Sequence, residues 1–132
     1  MNKMQKKIFI AATLLGLLGV VLGAFAAHGL RSVLTDSALE SFQTGVRYQM
    51  YHAFFLFFIG LNSHLSALQK KYIFSLTLAG IFLFSVSIYL LATNALTSID
   101  FTFLGPITPI GGLFLISAWG MLGFYLLKTS FN

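Results

Sequence analysis

The sequence predicts an all-α integral membrane protein, a four-helix bundle with both termini on the cytoplasmic side (N-in/C-in). Three observations predict it. First, the 132 residues are 58% hydrophobic and only 8% charged, whereas a soluble domain carries roughly 25% charged residues to face water. Second, the apolar residues fall in long uncharged runs parted by short polar turns, the pattern of chains whose solvent is the bilayer. Third, the six lysines sort to one side of a four-span reading, as orientation signals do.

Taken in order, the first run extends from Ile8 to Ala27 without a charge, preceded by Lys3, Lys6 and Lys7. A basic start, an apolar core and Ala24-Phe25-Ala26 also suit a cleavable signal peptide, but the run is long for a signal core and reads better as a span. Residues 28–36 make a polar turn, with Gly29 a plausible helix end. The second helix opens at Ser37, where Ser37-x-x-Glu40 fits a capping box. Its first part, 37–47, is amphipathic and expected to lie in the interface. From Tyr48 to Leu68 no formal charge occurs, so the helix is expected to continue as the second span, carrying Gln49, His52, Asn62 and His64. Lys70-Lys71 close it. The third span is expected over 72–92. Segment 101–107, broken by Gly105-Pro106, reads as interfacial loop. Thr108-Pro109 reads as N-cap and first helical position of the fourth span, 109–127, because proline's missing N–H costs nothing there.

In this arrangement Lys3, Lys6, Lys7, Lys70, Lys71 and Lys128 share one side, while Arg31, Arg47 and the acids Asp36, Glu40 and Asp100 share the other. The lysine side is cytoplasmic by the positive-inside rule, which places the chain as a single multi-pass domain in the cell inner membrane. The net charge of +5 serves orientation, and nucleic acid is not expected as a partner. Without cysteine, disulfides, thiolate nucleophiles and cysteine metal sites are excluded.

Inside a bilayer, close backbone approach and polar contacts hold helices together. Gly16, Gly19, Gly23 and Ala27 share one face of the first span, suited to packing on another span of this chain or on a second copy. Gly112, Ile116, Trp119 and Gly123 form an expected contact face on the fourth. Trp119 lies mid-helix, so its indole N–H needs an interior partner, for which Ser85 and Tyr89 are the candidates.

The outward ends of the first, second and fourth spans gather His28, Arg47, Tyr48, Gln49, Tyr51, His52, Thr108, Gly111 and Gly112. Polar groups at that depth should face protein or a wet cavity and be paired. As a ligand site, Arg47 would supply charge to an anionic headgroup or small ligand, and the fourth helix's N-terminus a positive dipole end. Interfacial arginines also commonly pair with acids, here Glu40 or Asp36, or snorkel to water and lipid phosphates. An enzyme is not expected: His28 and His52 are two ligands where zinc takes at least three, and no serine–histidine–acid spacing is evident. No metal or cofactor is expected either. Transport is the alternative function. Four spans are few for a pathway and would have to act as a homo-oligomer, and no acid lies deep in a span to relay protons. The expectation is a non-enzymatic scaffold or module binding membrane lipid or a small ligand.

These residues also form an ordered pattern: Gly23-Ala24-Phe25-x-Ala27-His28-Gly29-Leu30, Phe42-x-Thr44-Gly45-Val46-Arg47-Tyr48-Gln49-x-Tyr51-His52-Ala53, Phe84-Ser85-x-Ser87-x-Tyr89, and Ile107-Thr108-Pro109-Ile110-Gly111-Gly112 with Trp119. Together they resemble the bacterial membrane family catalogued as domain of unknown function 423, similar to eukaryotic transmembrane protein 256. Ala26 and Val86 depart from the pattern, standing where glycine is usual. The resemblance implies a four-span inner-membrane protein and brings no activity with it.

Overall fold

The computed structural model describes residues 1–129, and among them every regular element is helical. Four long helical rods follow one another. Helix α1 (Lys3–Leu30) ends in a widened π turn, Ala26–Leu30. Helix α2 is Asp36–Leu61. Helix α3 (Ala67–Ala92) contains a second π turn, Phe82–Val86. Helix α4 is Ile107–Lys128, preceded by short 3₁₀ turns at Asn94–Leu96 and Thr102–Leu104.

Local chemistry sets the ends. Asn2 and Gln5 cap α1 reciprocally, side chain to backbone, so the helix begins in the lysine run ahead of Ile8. Helix α2 starts at Asp36, not Ser37. Thr35 is the cap, accepting from Ala38 N–H at 3.2 Å, and Asp36 then stands in the first turn, where the helix dipole favours an anion. The capping box expected at Ser37-x-x-Glu40 does not form; Ser37 is inside the helix, its carbonyl accepting from Ser41 Oγ. The box that does form in this half is Ser66 with Gln69. It starts α3 at Ala67, so α2 stops at Leu61 instead of running to Leu68, and Lys70-Lys71 lie within α3 rather than between helices. Asn62 makes the turn, its Oδ1 accepting from His64 N–H at 2.9 Å. Helix α4 begins at Ile107 after Pro106; Thr108 is inside it, freed from capping to meet Ser87. In the connecting loop, Asp100 accepts from Thr102 N–H at 3.0 Å, and this bond holds its carboxyl below the usual carboxylate range.

Helices α1 and α2 pack antiparallel along their whole length. Gly23 faces Val46, Gly19 faces Met50 and Gln49, Gly16 faces Ala53, and Phe9 lies over Gly60. The seam of α1 advances in steps of three and four through Ile8, Ala12, Leu15, Gly19, Leu22, Ala26 and Leu30. Ala27 therefore falls on its flank and is exposed, while Ala26 is fully buried. Helix α3 packs on α2 and on α4. Its closest approach to α4 is at Gly80 and Gly111. A Cβ on Gly111 would stand 2.6 Å from the Leu83 carbonyl carbon and closer still to Phe84 N. This crossing lies on the π turn, whose loosened carbonyls at Leu83 and Phe84 are served by Ser87 Oγ at 2.6 and 2.9 Å. The packing seam of α4 is thus Gly111, Leu115, Ala118 and Leu122. The face expected from Gly112, Ile116, Trp119 and Gly123 is turned one residue away: Ile116 and Trp119 are exposed, and Gly123 has open space beside it.

Two core clusters mark the two ends. One joins Ile8, Ala12, Phe55, Leu56, Ile59, Leu65, Ile73, Ala118 and Leu122; the other joins Ala26, Leu30, Phe42 and Ala92. The rods consequently alternate in direction, and all six lysines lie at the first end. Helices α1, α3 and the segment Thr102–Lys128 are long and apolar enough to cross a membrane. Helix α2 is not, because Arg47, Gln49 and His52 lower its hydropathy.

Gly111→Ala is expected to lower stability by about 1–3 kcal/mol, since the added methyl meets backbone that cannot swing aside. Gly120→Ala, with nothing within 4 Å, should change it by less than about 0.5 kcal/mol. Denaturation of both variants in mild detergent checks the difference.

Candidate functional site

The polar stripe of α2 is divided among its neighbours. Gln49, 4% exposed, donates from Nε2 to the Leu15 carbonyl of α1 at 2.8 Å and accepts at Oε1 from Tyr89 OH of α3 at 2.7 Å. One turn away, the fully buried Ser85 Oγ donates to the Gly45 carbonyl at 2.8 Å. Both Ser85 and Tyr89 are therefore spent on α2. The expected bond from Trp119 to either of them does not form.

Trp119 instead donates from Nε1 to His52 Nε2 at 3.2 Å, and His52 Nδ1 bonds the Tyr48 carbonyl at 2.7 Å. The indole can only donate and the carbonyl can only accept. An imidazole bonded to both is neutral and carries its proton on Nδ1. Its ring also contacts Phe55 edge-on, and Phe55 lies 4.3 Å from Trp119, centroid to centroid. These side chains span a gap between α2 and α4, whose backbones stay apart. The gap is a groove of about 470 Å³, lined by Tyr48, His52, Phe84, Gly112, Leu115, Ile116 and Trp119. Beyond Trp119 it meets a second hollow walled by Tyr51, Phe54, Phe55 and Phe58.

Of the residues expected in one outward cluster, the structure brings Tyr48, His52 and Gly112 to this groove and Tyr51 to its neighbour. Gln49 faces the opposite side, at the base of an apolar hollow between α1 and α3. Gly111 is buried against α3. Thr108 Oγ1 meets Ser87 Oγ at 2.6 Å. Arg47 is exposed and donates to Thr44 Oγ1 at 2.8 Å, and His28 is exposed at the end of α1. Among the described residues, no three His, Asp or Glu side chains converge as a metal site. Sequence reasoning missed Phe84 and Leu115 as groove walls, since apolar residues carry no chemical signature. It also missed the junction at the lysine end. There Lys70 Nζ, 3% exposed, and Gln5 Nε2 both donate to the Gly60 carbonyl, at 2.9 and 3.2 Å. This carbonyl is one that α2 leaves unpaired at its C-terminus, where the dipole favours a cation.

A family model described as a protein of unknown function (DUF423) matches residues 22–112, which include α2, α3 and the start of α4. The chain belongs to this family. It is 40% identical over 118 residues to a UPF0382 membrane protein of Staphylococcus haemolyticus, covering 89% of this chain and 93% of that one. It is 40% identical over 120 residues to UPF0382 membrane protein YwdK of Bacillus subtilis, covering 89% and 94%. A UPF0382 membrane protein of Haemophilus influenzae is 36% identical over 126 residues, covering 96% and 98%. No solved structure matches the chain. The family and the three apolar helices together make this a membrane protein.

Two outcomes are expected from the polar contacts. A double-mutant cycle of Gln49→Leu and Tyr89→Phe, read from unfolding in detergent, should give a coupling of about 1 kcal/mol. Trp119 is the only tryptophan, so its fluorescence reports the second contact. His52→Phe removes the acceptor of the indole N–H and should shift the emission to the blue; an unchanged spectrum would show that the pair is not formed.

Proposed function

We propose that this family member is a non-enzymatic, four-span bundle of the cytoplasmic membrane, N-in/C-in, that binds a lipid or small amphipathic ligand in the groove between α2 and α4. The observation that carries the reading is the groove itself. It is a concave, aromatic-walled space bridged by the polar His52–Trp119 pair, and apolar clefts with few placed polar groups are the usual form of ligand sites.

The four-span topology is supported by the α1–α2 register. A helix packed against α1 from Gly23 down to Phe9 must cross whatever α1 crosses. At about 1.5 Å per residue, the 26 residues of α2 are long enough to do so. Of the residues that lower the hydropathy of α2, Gln49 and His52 are turned inward, 4% and 3% exposed, while Arg47 is exposed, and polar groups placed as Gln49 and His52 are compatible with a bilayer around them. The lysine-rich end supports N-in/C-in through the positive-inside rule. Fusing reporters of cytoplasmic and external location to each terminus tests this: an external signal from either end would overturn it.

For the ligand, Gly112 offers the test. A Cβ there meets Phe84 only at 3.8 Å, so Gly112→Phe enters the groove without disturbing the seam at Gly111. Native mass spectrometry of the chain extracted with membrane lipids should show a retained molecule on the wild type. Its occupancy should fall about tenfold in Gly112→Phe, a loss of the size a blocked contact produces. Equal occupancy at unchanged thermal stability would sink the proposal.

A further inference from the structure

At the opposite end of the molecule, the N-terminal parts of α1 and α3 enclose a groove of about 460 Å³ lined by Lys3, Met4, Lys7, Lys71, Phe74 and Ser75. Three ammonium groups and a hydroxyl ring it. Met4 and Phe74, packed against the main core cluster, form its apolar side. The α1 wall begins at the helix N-terminus, so the positive end of that dipole adds to the charge of Lys3. Lys3, in a first turn, opposes its own helix dipole, and Lys7 and Lys71 from the second turns converge with it.

Among the described residues, no acid offsets this charge locally. All three acids lie at the other end: Asp36 and Glu40 in the opening turns of α2, Asp100 in the loop before α4. The remaining lysines of this end are differently used or placed. Lys70 is turned inward to the Gly60 carbonyl, Lys128 lies 4.3 Å from the Phe124 ring centre, and Lys6 is exposed outside the groove.

From this arrangement we propose that the groove holds the phosphate of an anionic phospholipid, gripped by Lys3, Lys7, Lys71 and Ser75, with the start of an acyl chain against Met4 and Phe74. The apolar side favours a lipid over free phosphate, which would gain nothing from a thioether and a phenyl ring. This site is separate from the α2–α4 groove, and Gly112→Phe should leave it intact.

The test uses the full chain released from nanodiscs holding phosphatidylcholine and phosphatidylglycerol in equal amounts, with bound lipid counted by native mass spectrometry. The wild type should retain phosphatidylglycerol in preference. Replacing Lys3, Lys7 and Lys71 together by Gln should cut that preference on the order of a hundredfold, about fivefold for each lysine near an anionic surface. The corresponding Arg variant should keep it. Lys6→Gln, the same change of charge as the single Lys71→Gln but outside the groove, should also keep it. These side chains are exposed, and if the triple variant does not fold, the single Lys71→Gln should still show the fivefold step. Undiminished preference in the Gln variants, or an equal loss in Lys6→Gln, would overturn the proposal. Displacement of the lipid by inorganic phosphate would overturn its lipid assignment.

Discussion

The amide of Gln49 ties three helices at one point, and much of the architecture follows from what it requires. A primary amide inside an apolar assembly must spend its donors and acceptor on protein, because the surroundings offer neither. Gln49 does so in two directions, toward the α1 backbone at Leu15 and toward the Tyr89 hydroxyl of α3. This fixes α2 between the two and sets its rotation. With Gln49 on that side, His52 is carried to the α4 side, where Trp119 is its partner. The groove between α2 and α4 exists because these long aromatic contacts, and not backbone packing, bridge the two helices.

Where backbones do approach closely, small residues and widened turns make the room. Gly19 admits Met50, Gly80 admits Leu115, and Gly111 lies directly on the α3 backbone at the π turn. A π turn leaves carbonyls poorly paired, and Ser87 repairs the defect with a hydroxyl that also reaches Thr108 of α4. Loosened backbone and close crossing are therefore one feature. The glycine that permits the contact and the serine that satisfies it sit on opposite helices.

The two ends of the molecule differ in kind. The lysine end combines a buried C-terminus of α2, capped by Lys70 and Gln5 from neighbouring helices, with an exposed cationic groove. The other end holds the acids, the capped start of α2 and the polar loop around Asn94 and Asp100. Such polarity suits a protein with a fixed orientation across a membrane.

Membrane class, helix number and the sorting of charge were legible in the sequence, because each is a sum over many residues and survives local error. The glycine face of α1 was legible too, since regular spacing alone places Gly16, Gly19 and Gly23 together. Helix limits were not. The absence of formal charge from Tyr48 to Leu68 outweighed the Asn62 turn and the Ser66–Gln69 box, although both signals were present. Pairing was least legible of all: Trp119, Ser85 and Tyr89 were visible as polar residues needing partners, yet spacing cannot say which neighbour answers which. A shift of one residue around a helix moves a side chain about 100°, enough to turn Ile116 and Trp119 from the α3 seam to the groove. The sequence by itself determined that this chain belongs in a bilayer and how its charge divides between two ends, because those follow from composition along the chain. Only the tertiary structure decided that Gln49 serves α1 and α3, that His52 serves α4, and that a groove lies between α2 and α4, because hydrogen bonds are short and directional and depend on how each helix is rotated against the next.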